Sequence, residues 1–190
     1  MTYTRLATPL TEQEKKGVSR YCDDSMIFHA IQQGWRELAC HHPDYAALAH
    51  SLPTDLVGLD SAIEKSYLVQ ATTLWSAHGC GTGCRGALIG DARSFVGTQF
   101  QYPGFVSTST VKDVAVFLFL RKKAYSNSRP TLLQFELPAG FNVVGSHHCG
   151  HHGEMEYIIG RDRLFDVAEA SYERFPEVED EALVLKLLPA

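Results

Sequence analysis

The chain lacks any long apolar run. Its longest, Val114 to Leu120, is far below the roughly 20 residues that a helix needs to cross a bilayer. Between Met1 and Lys16 there is no apolar stretch resembling a secretory signal. A soluble protein without a visible export signal is therefore expected. An excess of positive charge is also missing, because 17 Lys and Arg stand against 22 Asp and Glu for a formal net charge of −5. This argues against non-specific binding to nucleic acid or to an anionic membrane surface, both of which need a positive field. Cysteine is sparse: Cys22, Cys40, Cys80, Cys84 and Cys149 are odd in number and irregularly spaced. At this length folding removes roughly 70% of the unfolded chain's surface from water, so one core suffices without disulfide staples. Reduced thiols and a single domain over 1–190 are expected, and no internal repeat is visible. What the chain has in quantity is histidine, nine in all, four of them in His147-His148-Cys149-Gly150-His151-His152.

The first third reads as helical. Thr11-Glu12-Gln13-Glu14 has the form of a capping box, in which the hydroxyl and the carboxylate satisfy first-turn amides; the helix it opens is expected to run through about Cys22. Ile27, Ile31, Trp35 and Leu38 recur at helical spacing, as do Leu56, Leu59, Ile63 and Tyr67. A helical lobe over 11–70 is expected. From Ala71 onward the texture changes to short runs of branched and aromatic residues broken by Gly, Pro, Asn and Ser. Strands are expected at 71–76, 104–110, 131–137, 141–144, 154–159, 164–169 and 182–188. Residues 111–120 fit a helix or a buried strand equally, since a short apolar run has no deciding period. Helices followed by strands favour an α+β fold over a doubly wound parallel sheet.

Three groups of residues offer chemistry. Gly81-Thr82-Gly83-Cys84-Arg85-Gly86 has the spacing of a dinucleotide fingerprint, but no long helix follows it and the region twenty residues on is Phe105-Val106-Ser107, not acidic. It reads as a flexible loop. Cys80, Cys84 and the histidine cluster are of zinc-binding type. Adjacent histidines on an extended segment point to opposite sides, so few of them reach one ion, and no metal is expected. The third group is ordered along the chain. Phe105-Val106-Ser107-Thr108-Ser109 lies on one expected strand, and Glu154 and Glu156 sit two apart on another, hence on one face. Like charges so placed cost energy unless they are used; an exposed, aggregation-resisting edge is the structural alternative.

With these motifs in order, the sequence resembles the mono-ADP-ribosyltransferases of the Arg-Ser-Glu type, which include actin-modifying and arginine-modifying bacterial toxins. The resemblance runs from Leu10-Thr11-Glu12-Gln13-Glu14 through Leu59-Asp60-Ser61-Ala62-Ile63, Gly104 to Ser109 and Leu137-Pro138-Ala139-Gly140 to Gly153-Glu154-Met155-Glu156 and Phe165-Asp166-Val167. It implies a helical lobe followed by two roughly perpendicular, mainly antiparallel sheets that form a cleft for NAD. The family breaks the nicotinamide–ribose bond through an oxocarbenium-like state, in which contacts to the sugar 2-hydroxyl strengthen. By resemblance, Glu156 is the catalytic glutamate that stabilises this charge and holds the ribose hydroxyl. Glu154 engages an acceptor guanidinium. Ser107 orients Glu156, while Phe105, Thr108 and Ser109 shape the nicotinamide site.

The family's arginine at the end of the first strand is replaced here by Ser76, in Thr73-Leu74-Trp75-Ser76-Ala77. Arg85, or Arg93, is the expected substitute for holding the pyrophosphate, given the geometry of guanidinium. The segment 145–153 takes the place of the loop that meets the target, so His148 and His151 are expected to recognise the acceptor and to gain charge near pH 6. The implied function is transfer of ADP-ribose from NAD to a protein of a host, by a secreted or injected bacterial effector. Arginine is the favoured acceptor; threonine, serine and asparagine stay open, as do ubiquitin, signalling proteins and cytoskeletal proteins as targets. Two other readings remain: a binding module that kept the fold without catalysis, and a zinc hydrolase.

Overall fold

Thr11 opens the first helix as the capping box requires: its Oγ1 accepts from the Glu14 amide at 3.3 Å, and the Glu14 carboxylate accepts from the Thr11 amide at 2.7 Å. The computed structural model describes residues 3–23, 52–79, 91–102, 104–120, 130–150, 156–176 and 181–190. The helical pattern expected over 27–38 lies outside them. Helices α1 (Glu12–Asp23) and α2 (Leu52–Lys65) pack against each other at two glycines. A Cβ on Gly17 would stand 2.6 Å from the Asp55 carbonyl oxygen, and one on Gly58 would stand 2.7 Å from that of Gln13. A mid-helix glycine costs roughly 1 kcal/mol against alanine; here its missing side chain lets the two backbones touch. Beside this crossing, buried Glu14 accepts from Ser61 Oγ at 2.6 Å and from Lys65 Nζ at 3.0 Å, and Arg20 pairs with Asp55.

The second helix is shorter than its apolar pattern suggests. It stops at Lys65, and Tyr67 lies on β2 (Ser66–Leu68), opposite Arg5 of β1 (Thr4–Leu6). These three-residue strands are too short to leave a period in the sequence.

The remaining strands are β3 (Thr72–Gly79), β4 (Gln99–Gln101), β5 (Val106–Ser109), β6 (Pro130–Leu137), β7 (Val143–Gly145), β8 (Glu156–Ile159), β9 (Leu164–Glu173) and β10 (Ala182–Pro189). They form an eight-stranded sheet in the order β4-β9-β10-β6-β3-β5-β8-β7. Its pairs are antiparallel except β6 with β10. The protein is thus α+β with a mixed, mostly antiparallel sheet. The expected strands are present with shifted ends; β9 continues to Glu173 because its second half still pairs with β10. Where two sheets were expected, hydrogen bonding is continuous, but its seam is a single residue pair, Trp75 with Ser109.

The main core draws on both sides of that seam: Leu74, Phe135, Phe165 and Leu185 come from one side, and Val106, Val143, Tyr157 and Ile159 from the other. On the outer face of β5, β8 and β7, α1 and α2 bury Val18, Tyr21, Leu59 and Ile63 against Phe105, Val144 and Ile158. The ambiguous run at 111–120 proves helical. A turn of α3 (Lys112–Val114) continues as π-helical turns over Ala115–Leu120. Ala115, Val116 and Leu120 cover Ala77, Leu132 and Val184.

Candidate functional site

Alternation along β5 sends Val106 into the main core and Ser107 and Ser109 to the other face. The register with β8 then decides what stands beside them. Ser107 lies opposite Ile158, and Ser109 opposite Glu156. Ile158 is buried under α1 and α2, whereas Glu156, two residues earlier, is partly exposed where that cover ends. Trp75, across the seam from Ser109, continues the same face onto β3. The structure therefore brings Ser107, Ser109, Glu156 and Trp75 together on one strip. Thr108 points the other way, and its Oγ1 donates to the Tyr157 carbonyl at 2.6 Å.

Ser107 is fixed from below by a residue outside the sequence motifs, Tyr21. Its Oγ donates to the Tyr21 phenol oxygen at 3.3 Å, and Tyr21 in turn donates to the Phe105 carbonyl at 3.1 Å. Burial pushes the Tyr21 hydroxyl well above its ordinary pKa; the Ser107 hydrogen bond opposes this and the nearby Glu156 charge adds to it. The phenol therefore stays protonated and acts as a fixed relay of hydrogen bonds. Phe105 is fully buried, edge-on to Tyr21 at 5.8 Å between centroids, so its ring belongs to the core beneath α1 and α2. The one sequence signal for Tyr21 is its place three residues after Val18 on the apolar side of α1.

Ser76 is buried at 2% exposure in mid-strand, opposite Leu133. Alternation turns it towards the side of Leu74 and away from that of Trp75. The strand itself runs on to His78 and Gly79. Arg93 lies in the 3-10 turn Ala92–Phe95, exposed, with its amide bonded to Asp91 Oδ1 at 3.1 Å. Arg85, Glu154 and His151 lie outside the described residues, as do Cys80, Cys84 and His152.

The histidine segment corrects two expectations. Ser146–Cys149 is a 3-10 turn, not an extended strand, and this coiling brings the rings of His147 and His148 to 4.1 Å between centroids, not onto opposite sides. Gly145 makes room for them, since a Cβ there would collide with the His147 ring and meet Thr4 Oγ1 at 3.0 Å. His148 Nε2 is hydrogen-bonded to Thr4 Oγ1 at 3.0 Å. Burial, helped by the neighbouring His147, lowers its pKa to about 4. The expected gain of charge near pH 6 is thus displaced to lower pH, because the half-buried imidazole is turned towards β1. Among the described residues no three side chains of His, Cys, Asp or Glu converge on a metal position.

In sequence, no family profile and no curated protein matches the chain. In structure, Plx2a, an ADP-ribosyltransferase toxin from Paenibacillus larvae, superposes with a TM-score of 0.66 over 95% of this chain and 87% of its own, at 19% identity. The chain has the ADP-ribosyltransferase toxin fold. C3stau2 from S. aureus, solved with NAD, shares this fold with a TM-score of 0.62 over 97% of this chain and 90% of its own, at 13% identity. BECa of a C. perfringens binary enterotoxin, solved with NADH, gives 0.69 at 13% identity, and this chain covers 44% of it. Short motifs in order and the course of the whole backbone thus lead independently to the same ADP-ribosyltransferase fold.

Proposed function

We propose that the protein is an NAD-dependent mono-ADP-ribosyltransferase that modifies a side chain of a protein acceptor, arginine being favoured. The observation that carries this reading is the strip on which Ser107, Ser109 and Glu156 share one face of neighbouring strands, within the ADP-ribosyltransferase toxin fold. Relatives of this fold solved with NAD and NADH support a dinucleotide as substrate. A role as a secreted or injected toxin acting on a host protein is supported by the toxins that share the fold.

The chemistry follows from charge. When the bond between nicotinamide and ribose C1′ breaks, its electron pair neutralises the pyridinium nitrogen and positive charge moves to the sugar. A carboxylate fixed beside C1′ stabilises that cation, and its hydrogen bond to the 2′-hydroxyl strengthens as the charge develops. Glu156 has this role. Ser107, held by Tyr21, orients the site next to it. Glu154 pairs with the guanidinium whose nitrogen attacks C1′ and then loses a proton.

Glu156→Gln keeps the shape and removes the charge. Labelling of extract proteins by labelled NAD should fall by about 10²–10³-fold, the usual cost of losing one stabilising group at a developing charge, with unfolding unchanged; undiminished labelling would overturn the assignment. Glu154→Ala should lose transfer to protein yet retain NAD hydrolysis. A reading as a non-catalytic binding module is favoured by one observation, the uncharged and buried Ser76. Calorimetric titration separates the two, since the module predicts no heat at millimolar NAD.

A further inference from the structure

Lys112 sits at the start of α3, three residues beyond Ser109. Its ammonium lies 5.0 Å from the centroid of the Trp75 ring and 5.2 Å from that of Phe175. Trp75 is the cross-strand partner of Ser109, and Ser109 Oγ accepts from the amide of Val111 at 3.1 Å, immediately before Lys112. The caged cation is thus attached to the seam of the sheet, at the end of the strip that carries Ser107 and Glu156.

This placement is specific. A lysine ammonium over aromatic faces is held in position while its charge remains available. Its counter-ion is loose: Glu173 Oε2 stands 3.4 Å away, with the two side chains 38% and 42% exposed, whereas a tight charge-assisted bond is nearer ~2.8 Å. The ammonium has further donors to offer. Three other cations among the described residues are engaged closely elsewhere. Arg161 holds Asp60 at 2.6 Å, Lys65 holds Glu14 at 2.7 Å and Lys186 holds Glu169 at 2.8 Å.

We infer that Lys112 binds the diphosphate of the dinucleotide, exchanging its long contact with Glu173 for a phosphate oxygen while staying against Trp75. The inference rests on the function proposed above. A dinucleotide that presents its ribose to Glu156 also brings two phosphate charges close to that carboxylate, and Lys112 supplies the compensating charge on the same strip. Lys112 is a substrate-binding residue, and Glu173 is the counter-ion that phosphate displaces from it.

The test compares ligands with and without the diphosphate. ADP-ribose is titrated into the full chain calorimetrically, and nicotinamide riboside is measured as a competitor of NAD. Lys112→Ala should weaken ADP-ribose and NAD by about ten- to a hundred-fold, the range for one hydrogen bond to a charged group, and leave nicotinamide riboside unchanged. Lys112→Arg should keep most of the affinity. Glu173→Gln should tighten ADP-ribose several-fold by releasing the ammonium. Thermal melts of each variant accompany the titrations. Unchanged NAD affinity in Lys112→Ala overturns this inference alone; so does equal loss for both ligand types, which marks a merely structural role. Absence of NAD and ADP-ribose binding by the unaltered protein overturns both this inference and the proposed function.

Discussion

The Tyr21 hydroxyl shows how much of this site depends on one atom. It ties α1 to β5 and to the residue just before it, donating to the Phe105 carbonyl and accepting from Ser107. Tyr21→Phe leaves the ring in place and removes both hydrogen bonds in a buried setting, at a cost of about 1–3 kcal/mol, to be measured by denaturant titration. His148 gives a second residue-scale expectation, with a definite sign. Its folded pKa of about 4 lies below the ordinary 6.5, so between these values the unfolded chain binds more protons than the folded one. Stability should therefore fall as pH drops through that window. Among the described residues Thr4 and His147 contact it; neither is an anion that would offset the imidazolium. Comparing unfolding midpoints at pH 7 and pH 5 tests this, and His148→Gln should show the smaller change.

At the scale of elements, the α1–α2 pair carries the sheet's outer cover. Gly17→Ala forces a methyl group towards backbone atoms of Asp55 and Leu59, which cannot move aside singly; overpacking of this kind costs about 1–3 kcal/mol, and a lowered urea midpoint would record it. Glu14 clamps the same pair. Burial alone would raise its pKa, but hydrogen bonds from Lys65, Ser61 and Thr11 hold it at about 2 against the ordinary 4.5. Its contribution is complete above pH 4.5 and is lost as pH falls towards 2. Glu14→Gln should flatten acid unfolding in that window, below the one governed by His148. The capping box was legible because Thr11 and Glu14 are three residues apart. The clamp was not, because Ser61 and Lys65 are distant in sequence. Strands β1, β2 and β4 also escaped, being three residues each.

Over the whole molecule, binding and stability are linked. A ligand at a hundred times its Kd adds about 2.7 kcal/mol to the stability of the state that binds it, and one kcal/mol moves the Tm of a domain this size by roughly 2–4 °C. Saturating NAD should therefore raise the melting temperature by roughly 5–10 °C, read by scanning calorimetry. The same scale explains which parts of the design were visible beforehand. Helices preceding strands, and the two-residue period that groups Ser107 with Ser109, are local properties, and the sequence determined them alone. Tertiary structure decided that Ser109 faces Glu156 and Trp75, that Tyr21 reaches Ser107 across 86 positions, and that coiling brings the rings of His147 and His148 together at a tilt. The physical reason lies in register. A strand's alternation states which residues share a face but not which strand lies beside them; that choice is made only when whole apolar faces are buried together, since a slip of one residue would exchange core for solvent all along the strand.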